Sequence, residues 1–235
     1  TRRSSDLLGR IEGRPVAVAG SGRTDAGVHA LGQVASASLA HPIPTAELLR
    51  ALNAMLPSDV RVLTVDEAPE GFHARYSARE KTYRYLLASG RVGPFDGRFA
   101  WVVPHALDPA AMAAAAPLLE GEHDFAAFQS TGTRVAHARR RIVRSAVREC
   151  GLADMLGQAL RPAAAGTPDA RLFSYEVTAD GFLRHMVRAI AGSLVEIGAG
   201  RREPSWLGEV LREGARGQAG PTAPACGLFL VGVGY

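Results

Sequence analysis

Strand-like and helix-like patterns alternate along the whole chain, with no low-complexity linker between them. Runs that are apolar, or that alternate apolar and polar residues, predict strands at residues 15–19, 33–39, 60–65, 82–88, 141–147 and 172–178. Apolar residues at helical spacing predict helices at residues 45–56, 109–119 and 181–198. This order predicts α+β architecture.

A boundary near Arg75 divides the chain into two such units, because a new strand pattern begins soon after it. We expect an N-terminal half at residues 1–75 and a C-terminal half at residues 76–235. With 235 residues, 47% of them hydrophobic, the chain can bury one large core or two small ones.

A glycine-rich loop with an aspartate, GSGRTDAGVHALGQ at residues 20–33, follows the first predicted strand. Its glycines allow the backbone to bend where a substrate can approach, which places Asp25 at the mouth of the loop. A phosphate-binding loop is disfavoured because no lysine follows Gly22. An ordinary turn capped by Thr24 or Asp25 stays an open alternative. Asp25 and His29 are four residues apart, but two ligands without a third make no metal site.

Four further segments follow in a fixed order. They are FHARYSA at residues 72–78, KTYRY at 81–85, DGFLRHMVR at 180–188 and GLFLV at 227–231. Together with the Asp25 loop, they resemble the TruA family of tRNA pseudouridine synthases over almost the whole chain. The resemblance implies two similar ferredoxin-like α/β-sandwich halves, with joined, mainly antiparallel sheets and a basic cleft between them. The N-terminal half would carry the aspartate loop, and the C-terminal half the tyrosine strand and the arginine helix.

The chain departs from the family pattern at its start. Family members begin with a strand carrying a YDGxxFxGWQ-like segment, whereas this sequence begins at the first helix, residues 1–11. We expect that an upstream segment has been omitted, rather than that the strand is lost. Residues 151–167 are rich in Ala, Gly and Pro, and resemble a variable hairpin insertion.

The resemblance assigns Asp25 as the catalytic nucleophile. The reaction breaks the bond between ribose and a uracil nitrogen and makes a bond to a uracil carbon, with no redox change and no added group, so no cofactor is expected. A carboxylate suits this task as a nucleophile or as electrostatic support for positive charge on the sugar. The atom that Asp25 attacks stays open.

Arg188 matches the arginine that closes the family's MVR motif, and the resemblance makes it the partner of Asp25. An arginine gives a carboxylate a charge-assisted, two-pronged contact. Without the resemblance, a solvated arginine on an amphipathic helix is the simpler interpretation. Arg184 and Arg188 are four residues apart, which predicts one helix face for both.

Tyr83 matches the family's active-site tyrosine, which lies against the target base and is proposed to help remove its carbon-bound proton. Tyr83 and Tyr85 alternate, so both point to the same face of the predicted strand. Core packing is the alternative for both. We expect Tyr83 in the site and Tyr85 in its supporting wall.

Basic residues provide the candidate RNA contacts. Arg23 matches the motif arginine, which can take the space or the phosphate contacts left by an extruded nucleotide. Phosphate contacts would come from Arg79, Arg84, Arg139, Arg140 and Arg141, with a solvated basic surface as the alternative. The net charge of +4 suits a phosphate-bearing partner. His73 and His185 are predicted to be structural.

The two cysteines, Cys150 and Cys226, are far apart and show no metal-ligand spacing, which favours a reducing compartment. No signal peptide and no apolar run of about 18 residues is visible, so we expect a cytoplasmic protein without a membrane partner.

The resemblance therefore implies an enzyme that isomerises uridine to pseudouridine in the anticodon stem-loop of tRNA by base flipping. The resemblance further implies a homodimer whose tRNA touches both subunits. A non-catalytic RNA-binding or tRNA-chaperone protein on the same fold is the alternative. The presence of Asp25, Tyr83 and Arg188 favours the enzyme.

Overall fold

The computed structural model describes residues 2–90, 96–130, 137–151, 171–215 and 217–235. The helices are α1 (Arg2–Glu12), α2 (Thr45–Met55), α3 (Pro109–Ala115), α4 (Met186–Gly198) and α5 (Trp206–Glu213). The strands are β1 (Val18–Gly20), β2 (His29–Ala30), β3 (Ala35–Ala37), β4 (Glu80–Ser89), β5 (Trp101–Val103), β6 (Gly121–Asp124), β7 (Arg139–Cys150), β8 (Arg171–Ala179) and β9 (Leu228–Gly234). The predicted α+β class is confirmed.

The chain groups into two compact units. The smaller unit comprises Thr1–Arg23, Gln33–Ala78 and Tyr235, and the larger comprises Thr24–Gly32 and Arg79–Gly234. Thr24–Gly32, with Asp25, therefore belongs to the larger unit, whereas the sequence analysis assigned this loop to the N-terminal half. The expected halves, residues 1–75 and 76–235, stay a prediction.

The smaller unit has a two-stranded antiparallel sheet and two helices. β1 pairs with β3, with Ala19 opposite Ser36. Its core is a small cluster that joins Leu8 of α1, Val16 and Leu48 of α2. This is the amphipathic packing predicted for residues 45–56, because the apolar stripe of α2 supplies Leu48 to the cluster.

The predicted strand at residues 60–65 is wrong. These residues have no strand partner within the described ranges. Instead, the side-chain amide of Asn53 donates to the carbonyl oxygen of Val62 at 2.9 Å and accepts from its N–H at 2.9 Å. One side chain thus makes hydrogen bonds that a neighbouring strand would otherwise make, and a strand exists only where such a neighbour is present.

The larger unit is built on one mainly antiparallel sheet. Within the described ranges it has seven strands, in the order β2-β9-β4-β8-β7-β6, with β5 beside β4. Among these described strands, only the β2–β9 and β4–β5 pairs are parallel. Tyr85 and Leu87 of β4 face the main core, which contains residues of α3, α4 and α5, while Leu86 and Ala88 join a smaller cluster on the other face. The helices therefore cover the face of β4 that carries Tyr83 and Tyr85.

The helices predicted at residues 109–119 and 181–198 both form, but only the first begins where the sequence predicts. The first is confirmed, as α3 followed by a 3-10 turn, and Asp108 caps it by accepting from the N–H groups of Ala110 and Ala111. The second begins only at Met186, because His185 adopts left-handed backbone angles of φ 63° and ψ 3°.

The insertion expected at residues 151–167 lies, apart from residue 151, outside the described residues. Across the described ranges, no helix has both the length and the apolar character needed to cross a membrane.

Candidate active site

Asp25 lies in a tight turn that is fixed to the large sheet. The carbonyl oxygen of Asp25 accepts from the N–H of Val28 at 3.1 Å, and Gly27 has a φ of 81°, which glycine adopts without steric cost. Directly afterwards, β2 pairs with β9, with His29 opposite Phe229. Because β9 also pairs with β4, the turn is anchored through one strand to the strand of Tyr83. The Asp25 side chain is 39% exposed, so its carboxylate is accessible.

Arg188, on the first turn of α4, is in contact with Asp25. Its Nη1 lies 3.6 Å from Oδ2 of Asp25, and its side chain is only 15% exposed. The Arg188 Nε donates to the carbonyl oxygen of Ala223 at 2.7 Å, and the Ala223 N–H donates back to the Arg188 carbonyl at 3.1 Å. The guanidinium is therefore held at one edge by the backbone and presents its other edge to the carboxylate.

His185 also contacts Asp25, a contact that the sequence analysis did not predict. Its Nε2 lies 3.1 Å from Oδ2 of Asp25. Burial lowers the pKa of His185, with smaller contributions from Arg188 and Arg184, while the charge of Asp25 acts in the opposite direction. The charged form of the ring is therefore disfavoured. No spacing rule separates this histidine from a core residue, because its approach to Asp25 depends on a left-handed backbone.

Arg184 does not share a helix face with Arg188, so that prediction is wrong. Arg184 precedes α4, since the left-handed residue 185 separates it from the helix. Its side chain is exposed, while its carbonyl accepts from the N–H of Ser130 at 3.2 Å.

Tyr83 is half-buried on the face of β4 that packs against the helices. The register of β4 with β9 shifts between Thr82 and Tyr83, which marks a bulge beside this residue. The rings of Tyr83 and Phe182 form a T-shaped pair, with their centroids 5.1 Å apart and their planes at 85°. Burial raises the pKa of Tyr83, and the negative charge of Asp25 raises it further, so the hydroxyl stays protonated at neutral pH.

Tyr85 lies in the wall behind these residues, where the sequence analysis expected it. The side chain is fully buried, and its hydroxyl donates to the carbonyl oxygen of Pro224 at 2.7 Å. Pro224 follows Ala223, the residue that holds Arg188. Tyr85 therefore helps to fix the backbone segment on which the position of the guanidinium depends.

The structure does not bring Arg84 together with Asp25 and Tyr83. Arg84 points to the opposite face of β4, where its Nη2 and Nε donate to Oε2 of Glu176 at 2.9 and 3.2 Å. Arg23 is exposed in the smaller unit, two residues before Asp25. His73 has a local role in the smaller unit, since its Nδ1 accepts from the N–H groups of Arg75 and Tyr76.

Metal-ligating side chains do not converge in the described part of the chain: no three residues of the types His, Cys, Asp or Glu are placed to hold an ion. The contacts that surround Asp25 are instead those of a carboxylate with a guanidinium, an imidazole and a tyrosine nearby.

The sequence of this chain is similar to those of known proteins of one family. The sequence profile described as tRNA pseudouridine synthase matches residues 3–77 and 115–235. A protein of Moorella thermoacetica named tRNA pseudouridine synthase A is 41% identical over 229 residues, which are 97% of this chain and 85% of that protein. A protein of the same name from Solibacter usitatus is 40% identical over 98% of this chain and 87% of that protein. A third, from Myxococcus xanthus, is 43% identical over 97% of this chain and 80% of that protein. By this likeness, which runs almost from end to end, the chain belongs to the tRNA pseudouridine synthase family.

Proposed function

We propose that this protein isomerises uridine to pseudouridine in tRNA, with Asp25 as the catalytic residue. The observation that carries the proposal is the contact of one accessible carboxylate with Arg188 and His185, at 3.6 and 3.1 Å. Its place in a chain of this family supports the assignment.

The chemistry is balanced without a co-reactant. The bond from ribose C1′ to uracil N1 breaks, a bond from C1′ to C5 forms, the C5 proton leaves and N1 gains a proton. Asp25 acts where positive charge develops, at C1′, as nucleophile or as ion-pair partner. Arg188 and His185 hold the carboxylate in place.

We assign Tyr83 to the base contact and to the transfer of the C5 proton. Because its pKa is raised, the Tyr83 hydroxyl is not ionised at neutral pH. The hydroxyl would therefore accept the C5 proton while it donates its own proton to another group. The Tyr83 ring, which forms a T-shaped pair with Phe182, would offer an aromatic surface against which a flipped base can lie.

The substrate region that we propose is the anticodon stem-loop of tRNA, as the family resemblance implies. We also propose that the protein acts in the cytoplasm, because its two cysteines show no disulfide or metal-ligand pattern. A stacked uridine reaches Asp25 only after base flipping, which costs a few kcal/mol of unstacking. Arg23 and the exposed arginines of β7 would supply phosphate contacts that position the RNA without reading its sequence. We also propose that the protein acts as a homodimer whose tRNA touches both subunits.

A tritium-release assay on an unmodified tRNA transcript labelled at uridine C5 tests the function. Pseudouridine formation releases the C5 hydrogen to water, so release should follow turnover. Replacing the anticodon-arm uridines by cytidine, one at a time, should abolish release from the target positions only. Tight tRNA binding with no release would favour the non-catalytic RNA-binding alternative and overturn the proposal.

A further inference from the structure

His185 is held in a backbone conformation that its residue type disfavours. Its φ of 63° makes it the one non-glycine residue with a left-handed backbone in the part of the chain that the structure describes. Such a conformation costs free energy, and it persists only where surrounding contacts impose it. Strained residues of this kind cluster at functional sites. The contacts of His185 indicate which function its conformation serves.

The left-handed residue turns the chain directly into α4. The carbonyl of His185 accepts from the N–H of Ala189 at 2.9 Å, so the helix starts immediately, and Arg188 lies on its first turn. The imidazole Nε2 and the Arg188 Nη1 both approach Oδ2 of Asp25, at 3.1 and 3.6 Å. One helix start thus directs two side-chain nitrogens to the same carboxylate oxygen.

We propose that His185 is a positioning residue for the reaction at Asp25: its imidazole donates a hydrogen bond from Nε2 to Oδ2 and fixes the direction of the carboxylate. This inference rests on the proposed function. Among the residues that the structure describes, the charged groups that face the ring are Asp25, Arg184 and Arg188. A neutral donor orients the carboxylate without cancelling its charge, whereas an imidazolium would add a second cation beside Arg188.

Two substitutions separate the hydrogen bond from the backbone conformation. Glutamine carries an Nε2 donor at about the same reach as the imidazole Nε2, while glycine adopts the left-handed conformation freely but has no donor. His185→Gln keeps the backbone strain of the parent and should melt near the parent's temperature, and His185→Gly should melt at or above it. The assay is tritium release from the anticodon-arm substrate, with kcat and KM determined separately.

We expect His185→Gly to lose about 10- to 100-fold in kcat, with KM for tRNA unchanged, because a carboxylate that is free to rotate is misplaced for attack. His185→Gln should keep most of the parent's kcat. Parent-like kcat in His185→Gly would overturn the inference. Equal losses in the two folded variants would also overturn it, because glutamine supplies a donor at the position of the imidazole Nε2.

The pH profile gives a second readout that a purely structural role would not move. The pKa of His185 is lowered from 6.5, so the ring becomes charged only as the pH falls below that value. The parent's kcat should then fall on the acid side, and His185→Gln, whose amide does not titrate, should move this fall to lower pH. An acid limb that is identical in the two proteins would contradict a neutral imidazole donor. A parent protein without any turnover would instead refute the proposed function, and this inference with it.

Discussion

Removal of the guanidinium of Arg188 should weaken catalysis more than folding. Arg188→Met keeps much of the apolar stem and deletes the charge that lies 3.6 Å from Asp25. At that separation two unit charges interact by about 4 to 5 kcal/mol at an effective dielectric constant of about 20. The carboxylate is 39% exposed, so water screens part of this energy, and we expect a loss of about 2 kcal/mol in transition-state stabilisation, or about 30-fold in kcat/KM.

Arg188→Lys is the matched variant. It keeps the charge, but a single ammonium lacks the planar fork that reaches both the Ala223 carbonyl and Asp25. We expect a loss of about 1 kcal/mol, or about fivefold in kcat/KM. Loss of the hydrogen bond to Ala223 should reduce the free energy of unfolding by about 1 kcal/mol in Arg188→Met.

The assay is tritium release under kcat/KM conditions, with circular dichroism melts as the folding control. If Arg188→Met folds like the parent and keeps its kcat/KM, the ion pair with Asp25 has no part in catalysis. A loss in Arg188→Lys as large as in Arg188→Met would show that the fork matters and the charge does not.

Three further predictions concern packing, the base contact and assembly. In a chemical denaturation experiment, Gly192→Ala should destabilise the protein by about 1 to 3 kcal/mol, because a Cβ at this position would collide with the Pro221 carbonyl oxygen. Gly208→Ala should be neutral or stabilising, because the space around Gly208 in α5 is open. Equal stability of the two variants would contradict this packing. Tyr83→Phe should bind tRNA like the parent and lose kcat, while Tyr83→Ala should lose both, as measured by filter binding and tritium release; a fully active Tyr83→Phe would exclude a chemical role for the hydroxyl. Light scattering should show a dimer, and tRNA affinity should fall steeply as salt is added in a titration. A protein that stays monomeric when it binds tRNA would refute the homodimer.

Local patterns in the sequence predicted much of the secondary structure, because periodicity reports which face a segment buries. β4 and α2 follow their predicted bounds within two residues. The segment at residues 60–65 has strand composition, but strand formation depends on a neighbour that composition does not reveal. The predicted start of α4 was wrong for a similar reason: helical spacing continues through Phe182, but the left-handed backbone of His185, which the spacing does not reveal, delays the helix to Met186.

The residues of the candidate site also differ in how far the sequence could predict them. Asp25, Tyr83 and Arg188 are far apart in the sequence, so only the resemblance to a family indicated that they meet. The alternation that put Tyr83 and Tyr85 on one face of a strand also put Arg84 on the other, and this signal could have removed Arg84 from the site. The Ala223 carbonyl was unpredictable, because a backbone acceptor has no sequence signature.

The central claim is that Asp25 carries out the isomerisation of uridine in tRNA. Single-turnover tritium release by the parent and by Asp25→Asn tests it most directly, because the two side chains are nearly identical in shape and differ in charge. We predict that the parent releases tritium from the anticodon-arm substrate, and that Asp25→Asn releases none while it retains its melting temperature and tRNA affinity. Release by Asp25→Asn at a rate close to that of the parent would contradict the account.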